Sequence, residues 1–168
     1  MTISLDLNVS MPELTRTLLD IYSVSGEEKT IADAVYESLS AYPHLHLTRD
    51  GDAMIARTEF GPRNGEERTR ILLAGHLDTV PLPTVAGSLG TVPASIVEDN
   101  GDWILYGRGA TDMKGGVAVQ LKLAAELGEH DTDYNLTYVF YDHEEVASEL
   151  SGMARLIRNH GELLTDAD

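Results

Sequence analysis

The sequence predicts an α/β protein of three layers, in which a mostly parallel sheet lies between helices on both faces. Two observations support this prediction. Segments with apolar residues at helical spacing alternate along the chain with short continuous apolar runs. The run at 71–75, Ile-Leu-Leu-Ala-Gly, is nearly all apolar, which is typical of a strand buried on both faces of a parallel sheet.

The first third of the chain predicts two helices and a hairpin. Ser10 is suited to cap a helix that runs to about Tyr22, with Glu13 in its first turn. Residues 25–28, Ser-Gly-Glu-Glu, have the pattern of a capping box that opens a second helix. Apolar residues on both sides of the turn at 49–52 then indicate two strands.

The rest of the chain alternates strands and helices. After the strand at 71–75 come a hairpin around Asn100-Gly101, a helix at 117–127, a strand at 136–141 and a helix at about 148–160. We expect the last helix to bury one face, which carries Leu150, Met153, Ala154 and Ile157.

Composition excludes several classes of protein. The chain has 168 residues, 42% of them apolar, which is enough to bury a core, and no cysteine for disulfides, thiolate zinc sites or nucleophiles. Twelve Lys and Arg against 28 Asp and Glu give a net charge of −16, which argues against a nucleic-acid partner. No apolar run approaches the ~18 residues of a membrane span and no leader pattern opens the chain, so we expect a cytoplasmic protein without a membrane partner.

Three polar clusters follow predicted strands or precede a predicted helix. They are His76 with Asp78, Asp112 alone, and Glu144 with Glu145. Ligands of open α/β sheets bind outside the carboxyl ends of the strands, so we expect these clusters to converge there. Imidazole and carboxylate groups are zinc ligands, and a carboxylate left over would serve as a base. The sequence therefore predicts metal-assisted hydrolysis, most simply of an amide.

Simpler interpretations of two clusters stay open. His76 and Asp78 are two residues apart, so they point to the same side of a continuing strand, where the carboxylate would orient the imidazole; the alternative is a polar strand end that faces solvent. Asp112 lies in the glycine-rich stretch 107–116, which could be an ordinary turn before a helix. A phosphate-binding loop is excluded, because Asp112 stands where its third glycine would be needed.

Two other hydrolase motifs are absent. The helical zinc-protease motif would need a second histidine where Ala147 stands. The segment 87–90, Gly-Ser-Leu-Gly, lacks the spacing of a serine nucleophile elbow.

Four stretches occur together in one order: 23–28 (Ser-Val-Ser-Gly-Glu-Glu), 75–81 (Gly-His-Leu-Asp-Thr-Val-Pro), 107–116 (Gly-Arg-Gly-Ala-Thr-Asp-Met-Lys-Gly-Gly) and the Glu pair at 144–145. Together they resemble the dizinc aminoacylase and carboxypeptidase family, which includes acetylornithine deacetylase, succinyl-diaminopimelate desuccinylase and glutamate carboxypeptidase. Within that family, residues 141–146, Tyr-Asp-His-Glu-Glu-Val, look like the actinobacterial succinyl-diaminopimelate desuccinylases.

The resemblance implies a role for each residue of the clusters. His76 would bind one zinc ion, Glu145 the other, and Asp112 would bridge both. Glu144 would be the general base that deprotonates the attacking water and later protonates the leaving amine, and Asp78 would orient His76. Cobalt or manganese in place of zinc stays open.

The resemblance also implies that residues 1–168 are the N-terminal portion of an incomplete, zinc-peptidase-like catalytic domain. The family's further carboxylate and histidine ligands, its lid or dimerisation domain and its C-terminal catalytic segment would lie beyond this chain. We therefore expect the isolated chain to be inactive, to bind fewer zinc ions or to bind them weakly, and to belong to a homodimer when full length. Apart from His143, which adjoins the site, the remaining histidines are interpreted as surface or packing residues: His44, His46, His130 and His160.

The reaction implied is hydrolysis of a small-molecule N-acyl amino acid, N-succinyl-LL-2,6-diaminopimelate, to succinate and LL-2,6-diaminopimelate, in lysine and diaminopimelate biosynthesis. One alternative is another N-acyl amino acid deacylase, of the acetylornithine type, or a carboxypeptidase of the same family. A second alternative is a truncated metal-binding module without catalytic activity.

Overall fold

A computed structural model describes residues 3–165, so the first two and last three residues of the predicted 1–168 domain lie outside the described part. Its helices and strands in chain order are α1 Met11–Leu19, α2 Lys29–Leu39, β1 His46–Asp50, β2 Ala53–Arg57, β3 Arg70–His76, β4 Ser95–Asp99, β5 Asp102–Tyr106, α3 Gly115–Glu126, β6 Asn135–Tyr141 and α4 Gly152–His160. Each predicted element is present, with its ends shifted by a few residues.

The main sheet has four strands in the order β1-β2-β6-β3, and β4 and β5 form a separate two-stranded sheet. β3 and β6 run parallel, whereas β1 with β2 and β2 with β6 run antiparallel. The α/β class is confirmed. Among the described strands, however, the sheet is mixed rather than mostly parallel, because β1 and β2 are joined by a tight hairpin and must run in opposite directions.

Helices pack on both faces of the main sheet, as the sequence predicts. One face is covered by α1, α2 and α3, whose buried side chains include Leu14, Leu18, Ile31, Val35, Val117 and Leu121. On the other face, Leu156 of α4 packs with Ile55 of β2 and Val139 of β6. Successive strand residues point to opposite faces, so Met54 joins the first cluster while its neighbour Ile55 joins the second.

β3 is less buried than its apolar sequence predicts. Leu72 and Leu73 are half-buried and Ala74 is exposed. The reason is that β3 lies at the edge of the sheet formed by the described strands, with β6 as its one neighbour there. The expectation of a strand buried on both faces is therefore wrong for the middle of β3, whereas Gly75 and His76 at its end are buried.

The two N-terminal helices begin differently. At α1 Ser10 is the residue before the helix, as the sequence predicts, and the Glu13 carboxylate accepts hydrogen bonds from its hydroxyl at 2.7 Å and from its backbone N–H at 3.0 Å. The capping box predicted for α2 is wrong. The hydroxyl of Ser25 donates to Asp78 Oδ2 at 2.6 Å, and Glu28 Oε2 accepts from the backbone N–H of Gly26 at 2.9 Å. Both side chains therefore serve contacts outside α2.

A buried lysine donates hydrogen bonds to carbonyl oxygens at the end of α1. Lys114 Nζ donates to the carbonyl oxygens of Leu18 at 3.0 Å and Ile21 at 2.7 Å. The Leu18 oxygen also accepts the backbone N–H of Ile21 at 3.3 Å, so the ammonium is a second donor to the carbonyls where α1 ends. Burial lowers the pKa of Lys114 to about 8.

The last helix buries only part of the predicted face: Met153 packs with the core, but two other residues of that face are exposed. Residues Ser148–Leu150 form a separate short turn, and α4 begins after Ser151. Leu150 and Ile157, assigned to the core from the sequence, are 57% and 56% exposed, whereas Leu156 is buried. The chain bends at Ser151, so Leu150 does not share the helical register of the residues that follow.

Gly152 fits against Asp142 with no space for a side chain. A Cβ at position 152 would lie 2.1 Å from Asp142 Oδ1 and 2.9 Å from the Asp142 backbone nitrogen. We expect Gly152→Ala to lower the free energy of unfolding by about 1–3 kcal/mol, because the contact would push α4 off the sheet. Urea unfolding measures this. The control is Gly161→Ala, where no atom lies within 4 Å of the added Cβ; equal losses in the two variants would contradict the steric argument.

Among residues 3–165, no helix combines the length and the apolar character needed to cross a bilayer.

Candidate metal centre

The three polar clusters meet at one edge of the main sheet. In the parallel register of β3 and β6, His76 lies opposite Tyr141, so both strands end at the same level. The chain that leaves β6 carries Glu144 and Glu145, and the loop before α3 brings Asp112 to the same edge.

His76 is the centre of this arrangement and is 3% exposed. Its Nε2 lies 2.9 Å from Asp112 Oδ1. Its Nδ1 lies 3.0 Å from the backbone oxygen of Asp78 and 3.4 Å from Asp78 Oδ1. Each ring nitrogen of His76 therefore faces an oxygen acceptor.

These contacts favour the protonated form of His76. Burial of the ring alone would lower its pKa, but hydrogen bonds to the Asp78 and Asp112 carboxylates outweigh burial and raise the pKa of His76 to about 9. At neutral pH the ring of the metal-free protein donates through both nitrogens. A metal ion that binds His76 therefore has to displace a proton.

Asp78 links His76 to the Glu pair. Its side chain is fully buried, and Oδ1 accepts the backbone N–H of Glu144 at 3.0 Å. Oδ2 accepts the backbone N–H of Glu145 at 3.0 Å and the hydroxyl of Ser25 at 2.6 Å. Burial alone would raise the pKa of Asp78, but its contacts with His76, Ser25 and the two amides hold that pKa well below its usual range.

The Glu pair and His76 form a group that could hold a metal ion. One oxygen from each of Glu144 and Glu145 and one ring nitrogen of His76 lie within 4.8 Å of one another. Burial and the nearby Asp112 carboxylate raise the pKa of Glu145, so a cation would relieve the crowding of negative charge. An imidazole nitrogen with carboxylate oxygens is a donor set that zinc accepts, and these residues therefore fit a zinc ion.

Asp112 reaches His76 from an irregular turn at Ala110–Lys114, in which the backbone angles of Asp112 itself are not helical. Gly109, just before this turn, has a φ of +80°, and a Cβ there would lie 2.7 Å from Thr79 Cγ2. Glycine thus lets the loop approach the chain that follows β3. The side chain of Asp112 stays 76% exposed on its far side.

A cleft of about 520 Å³ opens beside the group. Asp112 and Glu145 line it, together with apolar residues such as Val80 and Ile104. Arg108 is the cation among its described lining residues, and Arg108 Nε is buried without a hydrogen-bond partner in the described part of the chain.

Asp142 lies next to the group, but another residue compensates the negative charge of its carboxylate. It is buried, and its Oδ1 accepts a hydrogen bond from Arg155 Nη2 at 2.6 Å, while Oδ2 lies 2.7 Å from His143 Nδ1. A buried carboxylate needs a compensating charge, and for Asp142 that charge is on Arg155 of α4.

The histidines interpreted as surface or packing residues lie away from the group. His44 Nε2 lies 2.8 Å from the carbonyl oxygen of Ala124, and His46 and His130 are exposed. His160 Nε2 lies 3.6 Å from Asp50 Oδ2.

Sequence reasoning missed two residues that contact the site, Ser25 and Glu28. Glu28 is 1% exposed, and its Oε1 accepts the backbone N–H of His143 at 3.2 Å. The sequence pattern assigned both residues to the start of α2. The family resemblance of residues 23–28 was the one signal that connected them with the metal group.

The model of peptidase family M20/M25/M40 matches residues 72–167, more than half of the chain. This chain belongs to that family. The matched M20 region contains all five residues proposed from the sequence, His76, Asp78, Asp112, Glu144 and Glu145.

Two curated M20 relatives carry a more specific name. A putative succinyl-diaminopimelate desuccinylase of Mycobacterium tuberculosis is 45% identical over 155 residues, which are 92% of this chain and 39% of the relative. The succinyl-diaminopimelate desuccinylase of Corynebacterium glutamicum is 39% identical over 154 residues, 90% of this chain and 38% of that protein. The chain thus spans about two fifths of the length of these relatives.

Solved structures support the fold. An M20 family metallo-carboxypeptidase from Sulfolobus solfataricus superposes with a TM-score of 0.68 at 18% identity, over 92% of this chain and 35% of that one. Human carnosine dipeptidase 1 gives a TM-score of 0.64 at 18% identity, over 94% and 37% of the two chains.

Proposed function

We propose that this M20 chain is the N-terminal part of a zinc-dependent amidohydrolase that converts N-succinyl-LL-2,6-diaminopimelate to succinate and LL-2,6-diaminopimelate. The observation that carries the proposal is the group at the strand ends, where His76, Glu144 and Glu145 offer ligand atoms within 4.8 Å. The names of the relatives at 45% and 39% identity support the choice of substrate. A cytoplasmic location and a homodimer of the full-length protein stay predictions.

Each residue of the group has a role in this proposal. His76 would hold one zinc ion and Glu145 the other, and Asp112 would be a ligand of both. Bound zinc supplies polarisation of the substrate carbonyl and a lowered pKa of water. Asp78 would hold the imidazole of His76 through Nδ1, so Nε2, which lies beside Asp112, is the nitrogen that would bind metal. Glu144 takes a proton from the attacking water and passes it to the leaving amine nitrogen as the amide C–N bond breaks.

One residue of the cleft, Arg108, supports an acidic acyl group. A succinyl group carries a carboxylate that an acetyl group lacks, and a chain of net charge −16 repels it unless a cation lies nearby. Arg108, in the lining of the cleft, is a cation suited to this carboxylate.

Two alternatives remain. Another N-acyl amino acid deacylase or a carboxypeptidase is one, and a probable carboxypeptidase of Aspergillus terreus is 32% identical over 139 residues. A metal-binding module without catalytic activity is the other. Comparing succinyl, acetyl and peptide substrates on the full-length protein separates the enzyme alternatives, and a preference for acetyl or peptide substrates would contradict the desuccinylase proposal.

Zinc titration of the 168-residue chain by calorimetry tests the ligand set without a substrate. We expect one weak zinc site and no turnover, and Asp112→Ala should weaken zinc binding by more than about 100-fold, beyond the usual effect of a group that only supports a ligand. Asp99→Ala, at an exposed carboxylate in the β4–β5 hairpin, is the control. Two tight sites or zinc-dependent turnover would contradict the partial-domain proposal, and binding indifferent to Asp112→Ala would remove Asp112 from the ligand set.

A further inference from the structure

The turn that carries the Glu pair is held by two buried carboxylates from other parts of the chain. The backbone N–H of His143 donates to Glu28 Oε1 at 3.2 Å. The next two N–H groups, of Glu144 and Glu145, donate to Asp78 at 3.0 Å each. Three consecutive amides are therefore fixed by carboxylate oxygens.

The backbone of this turn adopts a conformation that needs such support. His143 has a φ of +57°, in the left-handed region that non-glycine residues rarely occupy. This one residue turns the chain after β6, so it sets the direction in which the side chains of Glu144 and Glu145 leave the backbone.

Glu28 belongs to a segment that also holds the end of β3. We call residues 23–28 the brace. The Ser25 hydroxyl donates to Asp78 Oδ2, the Ser25 N–H donates to the Thr79 carbonyl at 3.1 Å, and the Thr79 N–H donates to the Ser23 carbonyl at 2.9 Å. The brace therefore contacts both strand ends from which the metal group is built.

We propose that Glu28 is a positioning residue for the metal centre: it fixes the backbone at His143 and thereby directs the carboxylates of Glu144 and Glu145 toward His76. The inference rests on the metal centre proposed above. A carboxylate suits this place because both of its oxygens accept, one from Gly26 and one from His143. Among the described residues, no Lys or Arg side chain pairs with Glu28, and outside its own segment Glu28 contacts the N–H of His143 at 3.2 Å and the Nδ1 of His143 at 3.5 Å.

The test compares two variants of the 168-residue chain that lose stability for different reasons. Glu28→Met removes both acceptor oxygens at nearly constant volume. Leu39→Ala leaves a cavity at the far end of α2, at a fully buried residue, and does not touch the turn. Zinc affinity by calorimetry and the visible spectrum of bound Co²⁺ report the metal group, and amide hydrogen exchange reports the turn.

We expect Glu28→Met to weaken zinc binding by about 10–100-fold, to alter the Co²⁺ spectrum and to speed exchange at residues 143–145. Leu39→Ala should lower the melting temperature at least as much and leave zinc affinity within about threefold, because it loses no contact with the turn. If Glu28→Met does not fold, Glu28→Gln replaces it; this variant keeps one acceptor oxygen and should show a smaller effect of the same sign.

Wild-type zinc affinity and unchanged exchange at 143–145 in the Glu28 variant would overturn the inference. So would equal loss of zinc affinity in Leu39→Ala. If the unsubstituted chain binds no zinc, or if His76→Ala does not abolish the zinc binding, the proposed function fails. Amide hydrogen exchange at residues 143–145 then still decides whether Glu28 fixes the turn.

Discussion

Glu144→Gln in the full-length protein is expected to lower kcat by about 10²–10⁴-fold while zinc content stays unchanged. The glutamine has the size of glutamate but accepts no proton from water at neutral pH. Glu144 is exposed at the metal group, whereas Glu145 is half-buried beside Asp112. This difference in burial supports Glu145 as the ligand and leaves Glu144 free for proton transfer.

Glu145→Gln is expected to give the opposite pattern. Losing a charged ligand should weaken zinc binding by more than about 100-fold, and activity should recover in part at high zinc. Atomic absorption measures the zinc content of Glu144→Gln and Glu145→Gln, and steady-state kinetics measures their kcat. Glu149→Gln, at an exposed glutamate in the same segment, is the control. Loss of zinc in Glu144→Gln with retention in Glu145→Gln would reverse the two roles, since both carboxylates lie within reach of His76.

The sequence predicts the main features of the fold because those features are local. Apolar periodicity located the helices and strands, and the rule for strand ends predicted that His76, Asp112 and Glu145 would meet. The hairpin at Asn100-Gly101 follows from residues that tolerate a positive φ, which both adopt.

The features that sequence reasoning missed depend on distant partners. Ser25 matches a helix cap, but its hydroxyl bonds to Asp78, 53 residues away. The exposure of β3 depends on which strand is its neighbour, which a strand's own sequence does not encode. The expected burial of Leu150 was wrong because residues 148–160 were treated as one helix, although the chain bends at Ser151 and leaves Leu150 outside the helical register.

Asp78→Asn should cause the largest loss of stability among substitutions at the site. The asparagine keeps the volume of aspartate, but its NH₂ group replaces one of the two carboxylate oxygens. Each of these oxygens now accepts a backbone N–H, of Glu144 or Glu145, and one also accepts the hydroxyl of Ser25. We expect the free energy of unfolding of the metal-free chain to fall by about 3 kcal/mol at neutral pH, since a buried donor is left unsatisfied and the charge opposite His76 is lost. Zinc binding should weaken by about 10–100-fold as well, because the carboxylate 3.4 Å from His76 Nδ1 loses its charge.

The pH dependence and a matched variant make this prediction specific to Asp78. Its pKa is lowered in the folded protein, so its ionised form contributes stability above its unfolded pKa of about 3.9, and that contribution is lost as pH falls toward the folded pKa. Urea unfolding should therefore show the largest gap between wild type and Asp78→Asn above about pH 4 and a shrinking gap below it. Asp142→Asn breaks a buried carboxylate pair with Arg155 at the same strand end and should cost similar stability with zinc affinity kept. If both variants lose zinc affinity alike, general loosening of the strand ends explains the loss, and Asp78 has no separate part in holding His76.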